Sequence, residues 1–323
     1  PPLAARRFPA PHRHAPIAPV ATAFDGATYG KGTHTTSVII LKGNRMIAER
    51  YAAGFGPFTA QRTWSVAKSI TGTLVGIAAK QGAARIDEPA RIPQWQAEPS
   101  ANQRKSITLD QLLRMSSGLH DATAGNRTDA VYFGGTEVDE ETVGLPLTAR
   151  PGTRFRYANN DIMLAMRSLR TTLGEERYKD FPNSALFAPL GMTHSVAETD
   201  WQGNFISSSQ MWTSARDLAR FGLLYLQGGV WNGQRLLPEG WISYVTTPKS
   251  PQPDGEFGYG ATFWLLNKSP GVPADTYGAF GNRGQYVIIV PSRNIVIVRR
   301  AEDPAGSPFD IAKFTADVLA AVK

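Results

Sequence analysis

Cysteine is absent from all 323 residues. That excludes disulfides, thiol catalysis and thiolate metal sites, and it leaves the redox compartment open. Long apolar runs are missing as well. None approaches the roughly 20 residues that a membrane-spanning helix needs, so no membrane span is expected. Histidine is scarce, with 5 copies. His12 and His14 fall in a Pro-rich stretch, and no His-x-x-x-His or His-Glu spacing offers a metal site. No metal and no cofactor is expected. Acidic residues are outnumbered, 27 against 34 basic, for a formal charge of +7. That excess would permit nucleic-acid binding, but the arginines are scattered and no nucleic-acid motif occurs. No nucleic-acid partner is expected. The first residues are Pro1-Pro2-Leu3, without Met, which fits removal of an upstream segment such as a cleaved secretory signal. The expected location is periplasmic or secreted, with the cytoplasm as the alternative.

What is present is enough for a large core: 42% hydrophobic residues and only 19% charged. Residues 1–30 read as an extended arm. The runs Thr36–Leu41 and Met46–Tyr51 around Gly43-Asn44 predict a hairpin. A helix is expected from about Ser65 to Lys80, stopped by Gly82. Between 85 and 204 the texture becomes short helices and loops. Ile107–Met115 reads as a helix capped by Thr108, and 123–141 as a loop without period bordering a site. Ile162–Leu173 and Ser214–Leu226 are expected helices, a further one begins near Pro238, and Gly258–Leu265 reads as a strand. Gly284–Val290 and Ile295–Arg299 flank a Pro291–Asn294 turn, and their unbroken apolar runs suit strands buried on both faces. Phe309–Val322 is an amphipathic helix able to cover that sheet. The expected fold is α+β, an α/β sandwich. Its antiparallel sheet is built from both ends of the chain (31–84 and 205–323), with a mostly helical lobe inserted at 85–204.

The chemistry concentrates at Ser65-Val66-Ala67-Lys68. On a helix, positions three apart are surface neighbours about 5–6 Å apart, so the Lys68 amine can reach the Ser65 hydroxyl without any long-range coincidence. A serine needs an adjacent base to become a nucleophile. A lysine becomes a useful base only when burial or the helix dipole lowers its pKa. The same first turn carries free backbone N–H groups able to hold an oxyanion.

Joined to four other stretches, this pair resembles the serine β-lactamase and penicillin-binding-protein superfamily. The branch is the class C β-lactamase-like one, which includes esterases, D-aminopeptidases and 6-aminohexanoate-dimer hydrolases. Ser65-Val66-Ala67-Lys68 is similar to the family's nucleophile motif. Pro151-Gly152-Thr153-Arg154-Phe155 followed by Tyr157-Ala158-Asn159 is similar to its Pro-Gly-x-x-(Phe/Tyr)-x-Tyr-(Ser/Ala)-Asn. Leu112–Leu119, Pro189-Leu190-Gly191-Met192 and Thr213–Gly222 are supporting stretches, and all of these occur in the family's order. The third catalytic element departs. Where the family commonly has Lys-Thr-Gly or His-x-Gly, this chain offers Asn282-Arg283-Gly284 and then Gln285.

The resemblance implies two-step acyl transfer on a small-molecule ester or amide. Ser65 attacks, Lys68 and Tyr157 share its proton, and the N–H groups of Ser65 and Gln285 hold the oxyanion. A nearby lysine ammonium would make the Tyr157 phenol partly deprotonated or proton-relaying. Asn159 would brace Lys68 or the substrate, Gly284 would let the substrate lie close to the strand, and Arg283 is a candidate for a substrate carboxylate. Without the strand lysine, ester or amide cleavage is expected over β-lactam or D-alanyl-D-alanine hydrolysis. A catalytically inactive binding module on the same fold is the alternative of another class. Trp64, Tyr132, Phe133, Trp212, Trp264 and Phe280 are candidate acyl-pocket residues, each equally at home in a core. His120 and His194 read as packing residues. Oligomeric state is left open.

Overall fold

The computed structural model describes residues 17–99, 103–120, 129–249 and 251–322. His12, His14 and residues 123–128 of the expected loop lie outside them. Among the described residues the strands are β1 (Thr35–Lys42), β2 (Arg45–Tyr51), β3 (Gln61–Arg62), β4 (Val196–Ala197), β5 (Met211–Thr213), β6 (Val230–Trp231), β7 (Gln234–Arg235), β8 (Gly258–Tyr259), β9 (Trp264–Leu265), β10 (Tyr277–Gly281), β11 (Gln285–Val290) and β12 (Ile295–Ala301). Seven of these make one sheet in the order β2-β1-β12-β11-β10-β9-β8. Every pairing within it is antiparallel, and β1 lies directly against β12, so the two ends of the chain close the sheet.

Successive strand residues point to opposite faces, and both faces of this sheet are covered. Val38, Ile40, Ile288, Val290, Ile295 and Ile297 pack with Phe314, Val318 and Leu319 of the C-terminal helix Ile311–Ala321. Ile39, Leu41, Val287, Ile289, Val296 and Val298 enter the larger core with Val66, Ile70, Leu74, Leu218 and Phe221. This is why the last strands are apolar without alternation. The helix Val66–Lys80 is central: its buried residues run unbroken from Val66 to Ala78. Gly72 and Gly76 let Thr262 and Trp241 approach it, at places where an added Cβ would stand 2.3 and 2.6 Å from their side chains.

The hairpin, the Thr108 cap (a capping box with Gln111), the Ser214 cap and the Gly82 stop form as the residues predict. Four segments differ. Within the expected arm, Ala18–Thr22 is helical, and Val20, Ala23 and Tyr29 are buried beneath the C-terminal helix, because these apolar residues complete the outer core. The loop at 123–141 contains the helices Asp129–Tyr132 and Val138–Thr142, the latter with its own Glu137–Glu140 capping box. The helix expected at Ile162 begins at Asn159. Gly258–Leu265 is two short strands, β8 and β9, folded back through Thr262, whose φ of 64° is left-handed. Among the described residues, no helix is long and apolar enough to cross a membrane.

Candidate active site

Strand β3 pairs with β5 and feeds a sharp turn, Thr63-Trp64-Ser65, into the central helix. Thr63 is tied to the Met211 carbonyl by its N–H at 2.8 Å and its hydroxyl at 2.9 Å. Trp64 takes a left-handed φ of 49°, a conformation that costs roughly 1–3 kcal/mol for a residue with a side chain. The guanidinium of Arg62 lies 3.6 Å over the Trp64 ring and helps to hold it there. Ser65 occupies the N-cap position but makes no side-chain cap bond, which leaves its hydroxyl to Lys68.

Lys68 Nζ stands 2.9 Å from Ser65 Oγ, 2.5 Å from Asn159 Oδ1 and 3.0 Å from the Ser208 carbonyl. Those are three partners for the three protons of an ammonium, and none is a carboxylate. The side chain is 1% exposed. Burial without a counter-ion favours the neutral amine and lowers its pKa to about 7.

Tyr157 comes from the segment before the helix Asn159–Leu173 and bonds with the Ser65 hydroxyl and the Trp264 indole. Its phenol is pushed up to about 12 by desolvation, which outweighs the lowering by those two bonds. Of the two expected roles of the phenol, burial disfavours partial deprotonation and leaves proton relay: Tyr157 stays protonated at neutral pH, and Lys68 sits over its ring, 4.9 Å from the centroid. Asn159 is the first helical residue, with Ala158 as cap, and its side chain bridges Lys68 and, through Nδ2 at 3.1 Å, the Tyr132 hydroxyl.

Ser65, Tyr157 and Asn159 open onto a cleft of about 480 Å³. Trp64, Tyr132, Trp264, Phe280 and Tyr286 supply aromatic walls, and Asp129, Ser209, Gly281 and Asn282 complete the lining. Of the aromatic candidates, Phe133 is 84% exposed and Trp212 donates its indole N–H to Glu198 at 2.8 Å on the small sheet. Neither lines the cleft. His194 stacks on Phe58 at 4.9 Å beside a separate surface hollow, and His120 is exposed.

The strand beside the nucleophile is shifted from the expected register. Gly284 and Gln285 do not line the cleft. The Gln285 side chain is buried on the other side, its Oε1 accepting from Arg300 Nε at 2.6 Å and its Nε2 donating to the Arg283 and Ala301 carbonyls. Gly284, at φ 79°, makes room for the Arg299–Asp303 ion pair, since a Cβ there would lie 2.0 Å from Arg299 Nη1. The close approach belongs instead to Gly281, where a Cβ would lie 2.4 Å from the Thr63 carbonyl and 3.2 Å from the Ser65 nitrogen. Asn282 follows it in the cleft. The signal was the segment Tyr277-Gly278-Ala279-Phe280-Gly281 just upstream, an aromatic and glycine run without clean alternation that forms β10. Arg283 does stay at the rim, exposed and left-handed at φ 54°, with its guanidinium 5.8 Å from the Trp64 ring.

Comparison with known proteins agrees with this fold. The family profile described as Beta-lactamase matches residues 20–321. A 6-aminohexanoate-dimer hydrolase of Paenarthrobacter ureafaciens is 27% identical over an aligned length of 300, covering 84% of this chain and 74% of that protein. A candidate 6-aminohexanoate-dimer hydrolase of Bacillus anthracis superposes with a TM-score of 0.76 at 20% identity, covering 93% of this chain and 80% of the other. A β-lactamase of Mycobacterium bovis superposes with a TM-score of 0.66 at 18% identity, covering 95% and 96%.

Proposed function

The chain belongs to the Beta-lactamase family, and from that premise we propose that it is a serine hydrolase of small ester or amide bonds working through an acyl-enzyme on Ser65. Neutral Lys68 takes the Ser65 proton as Oγ attacks the carbonyl carbon. The N–H groups of Ser65 and Asn282 hold the oxyanion that forms. The protonated phenol of Tyr157, bonded to Ser65 Oγ, passes a proton to the leaving alkoxide or amine and is reprotonated from Lys68. Water then attacks the ester with the same base, and the acid leaves with Ser65 restored.

One observation carries this reading. Lys68 is buried among neutral partners one helical turn from a serine whose hydroxyl it contacts, so it is a base near neutral pH and not a structural cation. The substrate range follows from the walls. Among the described residues Asp129 is the one charged residue lining the cleft, and no lysine stands on the strand beside it. Five aromatic side chains favour an apolar or aromatic acyl or leaving group. The relative named for 6-aminohexanoate-dimer hydrolysis supports the amide side of this range. Arg283 at the rim is the feature that would favour a carboxylate-bearing substrate, β-lactams included.

The test is a panel of p-nitrophenyl esters, amino-acid amides and nitrocefin, run beside fluorophosphonate labelling. Labelling at Ser65 and turnover of an ester or amide, both lost in Ser65→Ala, is the expected result. Absence of labelling and turnover in the unaltered protein overturns the hydrolase reading. Rapid nitrocefin turnover with negligible ester or amide cleavage shifts it to a β-lactamase.

A further inference from the structure

Arg300 is completely buried, and every group it touches is neutral. Its Nε donates to Gln285 Oε1 at 2.6 Å, its Nη1 to the Thr213 carbonyl at 2.6 Å, and its Nη2 to the carbonyls of Gln61 at 2.8 Å and Arg62 at 3.0 Å. A buried guanidinium persists only when its protons are consumed by good acceptors, and breaking such a set leaves an uncompensated charge. Desolvation lowers this one to about 9, which marks how fully it is removed from water. The catalytic machinery described above makes no use of it.

Its position relative to the cleft is specific. Two of its carbonyl partners, Gln61 and Arg62, form β3, which leads directly into Thr63-Trp64-Ser65. Its side-chain amide partner, Gln285, reaches on from the same amide to the Arg283 carbonyl at 3.0 Å, in the turn that begins with Asn282. The backbone carrying one oxyanion donor is thereby joined to the backbone carrying the other. The link runs Arg62 carbonyl, Arg300, Gln285, Arg283 carbonyl, and it lies behind the contact of Gly281 with Thr63 and Ser65. An amide suits the middle of this link, because it accepts from the guanidinium and donates to the carbonyl at once.

We propose that Arg300 and Gln285 are positioning residues that set the separation of the Ser65 and Asn282 N–H groups in the oxyanion hole. The proposal rests on the hydrolase reading of the same site. Neither side chain touches substrate. Both act through the two strands they join, and a donor displaced by a fraction of an ångström binds the carbonyl oxygen of the substrate nearly as well but the tetrahedral oxyanion less well.

The test uses Gln285→Glu and Arg300→Lys in the full chain. Gln285→Glu keeps the acceptor for Arg300 and loses the donor to the Arg283 and Ala301 carbonyls. Arg300→Lys keeps the charge and shortens the reach. Each variant is measured for thermal midpoint, for KM and kcat on the best ester found for the unaltered protein, and for affinity for an alkyl boronic acid that mimics the tetrahedral adduct. The expected result is a folded protein with KM within about threefold, kcat lowered about ten- to hundredfold, and boronate affinity falling by a similar factor. If both variants fold and keep kcat and boronate affinity, or lose activity only in proportion to the unfolded fraction, the pair is merely structural and the proposal is overturned. Should Gln285→Glu fail to fold, Arg300→Lys decides alone, and failure of both counts for the merely structural role. An unaltered protein that neither labels nor turns over would instead defeat the hydrolase reading itself.

Discussion

At Lys68, burial does the work that a neighbouring cation or a histidine does in other hydrolases. Its three neutral partners hold the amine in place but supply no counter-charge to offset its burial, so the free base is available near neutral pH. Ester turnover should therefore rise with pH through about 7 as Lys68 loses its proton, and stay high beyond it because Tyr157 releases its own proton only near 12. A pH profile of kcat/KM that is flat between pH 5 and 9 would remove Lys68 as the base. Lys68→Ala and Tyr157→Phe should each lower kcat by at least about a hundredfold with the fold retained, as circular dichroism and steady-state kinetics would show. Gly281→Ala tests the close approach. Its new methyl would meet the Thr63 carbonyl at 2.4 Å, so β10 must move and kcat should fall at least about tenfold. The Ser65–Lys68 contact was legible in the sequence because it is local. The protonated state of Tyr157 was not, since it depends on how far that phenol is desolvated.

The elements divide along the same physical line. Helices with a cap and a period could be placed to within a few residues: Val66–Lys80, Leu109–Leu113 and Ala215–Leu226 all start where a side chain or a turn ends the preceding segment. Thr108 closes a reciprocal pair with Gln111, at 3.2 and 3.0 Å, and Thr108→Ala should destabilise the protein by about 1 kcal/mol in urea unfolding without altering KM. The buried strands β1, β11 and β12 were also legible, as unbroken apolar runs. The pieces that escaped are either rich in glycine and aromatics, as are β10 and the β8–β9 fold-back, or only two or three residues long, as in the three-stranded sheet of β3, β5 and β4. Two- and three-residue strands have no period of their own, and only their partners make them strands. Tyr132 and Asp129 reach the cleft from a helix of this kind, four residues long.

For the whole molecule, the cleft is assembled from distant chain. Lys68 is bonded to a residue 91 positions away and to a carbonyl 140 positions away, and β1 needs β12 to complete its sheet. The buried amine leaves a mark on global stability. With its folded pKa near 7, below the ordinary lysine value of 10.5, the unfolded chain binds more protons between those limits. Stability should rise with pH across that window on account of Lys68, and fall as pH drops toward 7. Lys68→Met should abolish this part of the pH dependence and raise the thermal midpoint at pH 6 relative to the unaltered protein. A variant no more stable than the original at pH 6 would show that the amine is not desolvated in solution.

The sequence by itself determined the serine and lysine on one helical turn, the tyrosine and asparagine at the head of another helix, and the apolar runs at both ends that pair into a sheet. Each of these follows from neighbours within a few residues or from hydrophobic runs that must be buried. Only the tertiary structure decided which strand backbone faces Ser65. It is Gly281 and Asn282, while Gln285 turns behind the cleft to Arg300. Strand register has a period of two, so a small slip reverses every side chain, and no local pattern in a glycine-rich segment specifies it. Burial of Lys68 was decided at the same level, because desolvation comes from whatever distant chain packs over a group.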